Sequence, residues 1–378
     1  MKYSFVFAMI FSAIQAHAVA PIHGYTPEQE KFMAQHNRNV QAYEFFNGLF
    51  RWDKQASSAT IERVPFAEYH QVGYVIFSDS GEFNSLAAKK LIAKNLPPDV
   101  TLVVYSPNSD KSYLNRVYNL FAKEMGSTDR LRIVHLPHDP VSVQGQTFIP
   151  NSFWARDGVP VPTWSFDKKG NKVFTVVDAK YYHYFEADDV VSKLFGADLV
   201  KHNYYHEGGN FLANNRGECL VVNNARAVQI PDETFLLKYG CQKTIRFPHT
   251  KGIGHIDETV KLINDDLALT DDEEYAGILR DNGFQVMMVP RPEREYETYV
   301  NSLYVNGTLF LPTFQEAGDA EAIALYESFG YKVVALNSKQ LSNDGLGSIH
   351  CITMAYPPVP FNELLANVGG REVTPSKK

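Results

Sequence analysis

From about Ile61 onward, short apolar strands alternate with amphipathic helices, and the order two strands, one helix, one strand recurs about five times. Such a chain must fold as mixed α/β layers, because every helix has an apolar stripe and every strand an apolar face to bury. Gly73–Ser78, Val100–Tyr105 and Leu131–Leu136 read as strands. Asn84–Lys94, with Leu86, Leu91 and Ile92 on its apolar side, and Tyr113–Met125 read as helices. Turn signals predict hairpins within Trp164–Val177 (at Asp167–Asn171), Asn210–Asn223 (at Asn214–Gly217) and Tyr299–Pro312 (at Asn306-Gly307). Helices at Asp188–Phe195, Asp271–Asn282 and Asp319–Phe329 each precede a strand, at Leu199, Phe284 and Tyr331. The copies share little residue identity and their spacing is irregular, so this is a structural rhythm and not a sequence repeat.

The chain outside that rhythm divides into three parts. Residues 1–18 read as a signal peptide: Lys2 gives a basic start, Phe5–Ile14 an apolar run, and Ala16-His17-Ala18 a small-x-small cleavage site. The run is too short to span a bilayer, and no later stretch approaches the roughly 20 apolar residues needed. The mature protein is expected to be exported, soluble, and periplasmic or secreted, the alternative being an uncleaved anchor or a buried helix. Residues 19–60 form an N-terminal extension, helical from Thr26 through Phe50 with Pro27 near its first turn. The catalytic domain is placed at 61–368 and a frayed tail at 369–378.

The formal charge of −7 becomes −8 once Lys2 leaves with the leader. A mildly acidic chain without a basic run is a poor partner for nucleic acid or anionic membrane. Three cysteines occur, Cys219, Cys241 and Cys351. An odd count in an exported protein leaves at least one thiol unpaired or shared between chains. Two readings stand: Cys219 and Cys241 form a disulfide and leave Cys351 over, or all three are reduced.

Four separated stretches carry chemistry: Trp154-Ala-Arg-Asp157, Glu207-Gly-Gly209, Gly254-His255-Ile-Asp257 and Gly347-Ser-Ile-His350-Cys351. A thiol attacks only as thiolate, and Cys351 follows glycines that let backbone approach a ligand. His255 and Asp257, two apart along a strand, would project from one face as a proton shuttle and a cation clamp. Asp157 would otherwise pair with its own Arg156, and Glu207 would otherwise be a solvated loop carboxylate. His350, if the segment is extended, points away from Cys351 and is not taken as the acid/base.

These stretches, with Tyr299-Val-Asn301 and Ile349-His-Cys-Ile-Thr353, resemble the agmatine deiminase and bacterial-type peptidyl-arginine deiminase family over roughly residues 63–358. The resemblance implies the guanidine-modifying (pentein) fold, an α/β five-bladed propeller built from ββαβ units. It implies Cys351 as nucleophile, His255 as general acid and base, Asp157 and Asp257 holding the guanidinium, and Glu207 orienting His255 or taking part in the site. Trp154, Asn301 and Lys180 join the two aspartates as substrate-binding candidates. The implied reaction releases ammonia and a ureido product through a thiouronium adduct and requires no metal or organic cofactor.

Two departures concern the substrate's far end. Agmatine deiminases usually read Gly-Gly-Gly before Ile-His-Cys and Gln-Gln after Ile-Thr, where this chain has Gly345-Leu-Gly-Ser348 and Met354-Ala355. The region after Asp157 carries Lys180 as its fixed cation and His183 as a pH-dependent one, with no arginine to hold a carboxylate. Export favours arginine in a peptide or protein as substrate, with agmatine as the alternative. Rival classes are a Cys-His-Asp amidase and a non-catalytic binding protein. The sequence does not set the oligomeric state.

Overall fold

A computed structural model describes residues 22–51, 63–136, 141–143, 146–148, 153–182 and 187–362. The leader at 1–18, the tail at 369–378 and His183 lie outside the described residues. Five sheets of three or four strands and one two-stranded ribbon (Val141–Val143 with Gln146–Phe148) account for the described strands.

Three sheets share one plan, an antiparallel hairpin followed by a strand parallel to its second arm. They are Leu212–Ala213, Glu218–Asn223 and Lys243–Pro248; Val260–Leu262, Leu267–Thr270 and Gln285–Met288; and Leu303–Val305, Thr308–Thr313 and Lys332–Asn337. A parallel return needs a crossover. Helices Glu273–Asp281 and Gly318–Ser328 supply it in the last two. At Asn306 and Gly307 φ is +44° and +84°, the two left-handed residues that a tight hairpin of this twist requires. The Asn306 side chain also bonds both backbone groups of Val72, at 2.8 Å each, tying this hairpin to the neighbouring sheet.

The other two sheets extend the plan. One adds Arg63–Pro65 to the edge of Val161–Phe166, Lys172–Lys180 and Asp198–Tyr205. In the other, Met354–Tyr356 pairs antiparallel with Tyr74–Ser78, which continues in parallel through Thr101–Ser106 to Leu131–His135. A strand from the end of the chain thus completes a sheet from its beginning. Cys351 lies three residues before that closing strand, so the closure fixes the thiol's position.

The helix expected from Thr26 through Phe50 runs from Pro27 to Arg51. Asn37 anchors it: its amide donates to the carbonyls of Tyr205 (3.0 Å) and Arg226 (3.1 Å) and accepts from Tyr205 N–H (2.8 Å). Cys219 and Cys241 form a disulfide, and Cys351 is the free thiol. Among the described residues, no helix is long and apolar enough to cross a membrane.

Candidate active site

Every carboxylate, imidazole and thiol singled out at the four motifs is buried, and the motifs converge. Asp157 sits in the short helix Ala155–Gly158, which is pinned to the thiol segment when Arg156 N–H donates to the Cys351 carbonyl at 3.1 Å. Arg156 does not pair with Asp157. It reaches Glu68 and donates from Nε to the Thr353 carbonyl, which leaves Asp157 for the site.

His255 and Asp257 do not lie on a strand as expected. Gly252 and Gly254 take φ of +60° and +75°, which breaks the extended run, and Ile256–Glu258 closes into a 3-10 turn. Both side chains nevertheless face the same space. A Cβ on Gly209 would stand 2.7 Å from His255 Nδ1, 3.1 Å from Asp157 Oδ1 and 3.3 Å from Asp257 Oδ1. His255 Nδ1 and Asp257 Oδ1 are buried there without a hydrogen-bond partner among the described residues. Buried polar atoms are seldom left so, and two carboxylate oxygens beside an imidazole nitrogen suit a planar N–H-rich cation. Gly209→Ala is therefore expected to lower kcat/KM by at least about 10²-fold through misplacement of these groups, at a stability cost of about 1–3 kcal/mol from overpacking; normal turnover by the folded variant would show that the cradle lies elsewhere.

Cys351 Sγ stands 3.9 Å from Asp257 Oδ2 and 3.2 Å from the Asn301 amide nitrogen. Asn301 Oδ1 also accepts from His350 N–H at 3.0 Å. Asn301, a substrate-binding candidate, is thus placed against the sulfur and its loop. The 348–353 segment is a turn and not an extended strand, so His350 is not directed away: its Nδ1 meets Asp257 Oδ2 and its Nε2 meets Glu68 Oε2, each at 2.6 Å. His350 and Glu68 form a relay behind Asp257.

Glu207 lies beneath His255, with Oε2 3.7 Å from Nε2. Both its oxygens accept from Arg226 Nε at 2.7 Å, and Arg226 also reaches Glu30 and His255. Burial alone would push the His255 imidazole down, but Asp157 and then Glu207 more than offset this and hold it up at about 9. Burial, then the charges of Asp257 and Glu258, push the Cys351 thiol well above its ordinary range. These directions favour a protonated thiol and, through the flanking carboxylates, a protonated imidazole, against which the nearby Arg226 works.

Lys180 is not brought to this cluster. It is exposed at the end of its strand, beside His36, Asn39 and Val40 of the N-terminal helix. Arg226, Glu68 and His23 carry no motif that would have announced them. His23 meets Asp157, and Trp154 spends its ring face on His23, with centroids 4.3 Å apart and planes 16° from parallel. Donor atoms of His23, Asp157 and His255 lie within 4.8 Å of one another, close enough for one divalent ion to bridge.

A model of the Porphyromonas-type peptidyl-arginine deiminases matches residues 90–357. A Vibrio parahaemolyticus protein named provisionally as an agmatine deiminase is 25% identical over 347 residues, covering 74% of this chain and 91% of that protein. The solved structure of a C. jejuni agmatine deiminase aligns with a TM-score of 0.60 at 17% identity, covering 78% of this chain and 95% of that one. The agmatine deiminase of Enterococcus faecalis aligns at 0.58 and 13% identity, over 78% and 96%. These last two likenesses concern the fold.

Proposed function

The chain belongs to the Porphyromonas-type peptidyl-arginine deiminase family, and we propose on that premise that it hydrolyses a small free guanidine of the agmatine type. As a family member it is a hydrolase of guanidinium-type C–N bonds with the fold of the guanidino-group-modifying enzymes. We read its five sheets as the five blades of a closed propeller, which the pairing of the last strand with Tyr74–Ser78 supports.

The commitments of the arginines bear first on the choice of substrate. The two arginines at the site are already committed, Arg226 to Glu207 and Glu30, Arg156 to Glu68. A substrate carboxylate would compete with those pairs, whereas agmatine has no carboxylate. That counts against free arginine. Agmatine is placed ahead of peptidyl arginine, reversing the order expected from sequence, because Cys351 and His255 are no more than 1% exposed and the Vibrio parahaemolyticus relative is named provisionally as an agmatine deiminase. Arginine within a peptide also lacks a free carboxylate, and it remains the second reading because the leader at 1–18 favours export; periplasmic or secreted location is part of this proposal.

In the proposed reaction the guanidinium lies between Asp157 and Asp257, and its carbon faces Cys351. The Cys351 thiolate forms a C–S bond to that carbon, His255 gives a proton to one nitrogen, and ammonia leaves as the C–N bond breaks. The adduct is a thiouronium. His255 then takes a proton from water, whose oxygen attacks the same carbon; the C–S bond breaks, releasing the ureido product and regenerating the thiolate. Burial is the main reason the thiol stays protonated, and Asp257, 3.9 Å from the sulfur, adds to it; a bound cation offsets that second contribution and favours the thiolate.

Ammonia release from the purified protein tests this, with agmatine, free arginine and peptides containing internal or C-terminal arginine, and Cys351→Ala as blank. Agmatine is expected to give the highest kcat/KM. Turnover confined to peptides would instead make the enzyme a protein-arginine deiminase, and silence on all four would defeat the guanidine reading for these substrates.

A further inference from the structure

We propose that the segment Ile22–Tyr25 is an internal ligand of the guanidinium site, which His23 holds closed until substrate displaces it. This rests on the reading of Asp157, Asp257, His255 and Cys351 as a guanidine site.

Asp157 has two oxygens to offer, and both are in use. Oδ1 accepts from Gly209 N–H at 2.9 Å, and Oδ2 is held by His23 Nε2. A bidentate grip on a guanidinium needs both oxygens facing one ligand, so His23 must leave before Asp157 can make it. The His23 ring is flat, turns its Nε2 to Asp157 as a donor, stacks on Trp154 and meets the edge of His255 at a centroid distance of 5.2 Å. In shape and in donors it is the nearest thing an amino-acid side chain other than arginine offers to the group the site is built to hold.

The fit extends beyond one contact. His23 N–H donates to the Gly345 carbonyl at 2.7 Å, and a Cβ on Gly347 would come within 2.8 Å of His23 Nδ1, so that glycine leaves the ring its room. Tyr25 donates its hydroxyl to Glu207 at 3.1 Å, and the Arg226 guanidinium lies 4.7 Å over the Tyr25 ring. With the segment seated, Cys351 and His255 are no more than 1% exposed. Withdrawal need not disturb the rest of the fold. The helix that follows starts in its own capping box, in which Thr26 N–H donates to Gln29 Oε1 and Gln29 N–H to Thr26 Oγ1, and Asn37 anchors it separately. The movable part is thus the few residues before Thr26.

If the seated state dominates, every ligand and reagent sees the site only during the fraction of time it is open. The test uses the full chain and its His23→Ala variant, with His23→Gln as a second replacement should alanine impair folding, each checked by thermal midpoint. The rate of Cys351 alkylation by iodoacetamide is measured without substrate; Cys351→Ala in the same background should take no label, because Cys219 and Cys241 are bonded to each other. Alkylation is expected to accelerate about tenfold or more, and KM for agmatine to fall by a similar factor with kcat little changed. Equal alkylation rates in wild type and variant, at equal thermal midpoints, would overturn the proposal even if agmatine is turned over. Accelerated alkylation without turnover of any guanidine would uphold the internal ligand and defeat the reading of the substrate.

Discussion

Cys351→Ala is expected to lower kcat on agmatine by on the order of 10⁶, the scale on which hydrolases lose activity with their nucleophile, and His255→Gln by about 10²–10⁴. The pH profile of the wild-type enzyme says more about why. In the free protein both groups are protonated at neutral pH: His255 sits at about 9, and burial with Asp257 and Glu258 keeps the thiol higher still. The reacting complex needs thiolate and imidazolium together, so substrate binding must release one proton. It follows that kcat/KM rises with pH, by close to tenfold per pH unit, and levels off near pH 9, where the free enzyme has lost its first proton. At saturating agmatine the thiolate is already formed, so kcat should be flatter over the same range and fall where His255 can no longer supply ammonia's proton. Steady-state kinetics between pH 6 and 10 decide the matter. A kcat/KM that is flat from pH 6 to 9 would mean that the thiolate exists before substrate arrives.

What could be read in the sequence depended on whether a signal was local. Asn306-Gly307 and Asp167–Asn171 fall at hairpin turns because two- to five-residue loops tolerate few residue types. The helix from Pro27 and the parallel returns at Asp198, Gln285 and Lys332 also follow from local periodicity. The backbone between glycines is not legible in the sequence for a related reason. His255-x-Asp257 alternates like a strand, but left-handed Gly252 and Gly254 curl it into a turn. An extended segment would direct His350 away from Cys351, and the turn at 348–353 brings it onto Asp257 instead. Long-range polar pairs left no trace at all. Glu68 meets His350 across 282 residues and Tyr25 meets Glu207 across 182, so no spacing rule could have linked them. Each is set by how the sheets meet, which residue order alone does not state.

Arg226 is the residue whose loss should cost the fold most. It is fully buried, its Nε serves both oxygens of Glu207, and Glu207 is equally buried. Burial would raise the Glu207 carboxyl, yet Arg226 and then His255 hold it well below the usual carboxylate range. Arg226→Met keeps the side-chain volume but strands a carboxylate with no cation of fixed charge, which should cost about 3–5 kcal/mol in denaturant unfolding at pH 8. The sign of the pH effect follows from linkage. A carboxylate whose pKa is depressed in the fold contributes stability above its unfolded value, near 4.3, and loses it as pH falls below that. In the variant the stranded Glu207 takes up a proton more readily, so the gap between wild type and variant should narrow from pH 8 toward pH 5. Adding Glu207→Gln should recover part of the loss at pH 8, because the charge that made the deletion costly is then gone. If the double variant is no more stable than the single one, and the gap is the same at both pH values, Arg226 acts through packing and its stacking on Tyr25 rather than through charge.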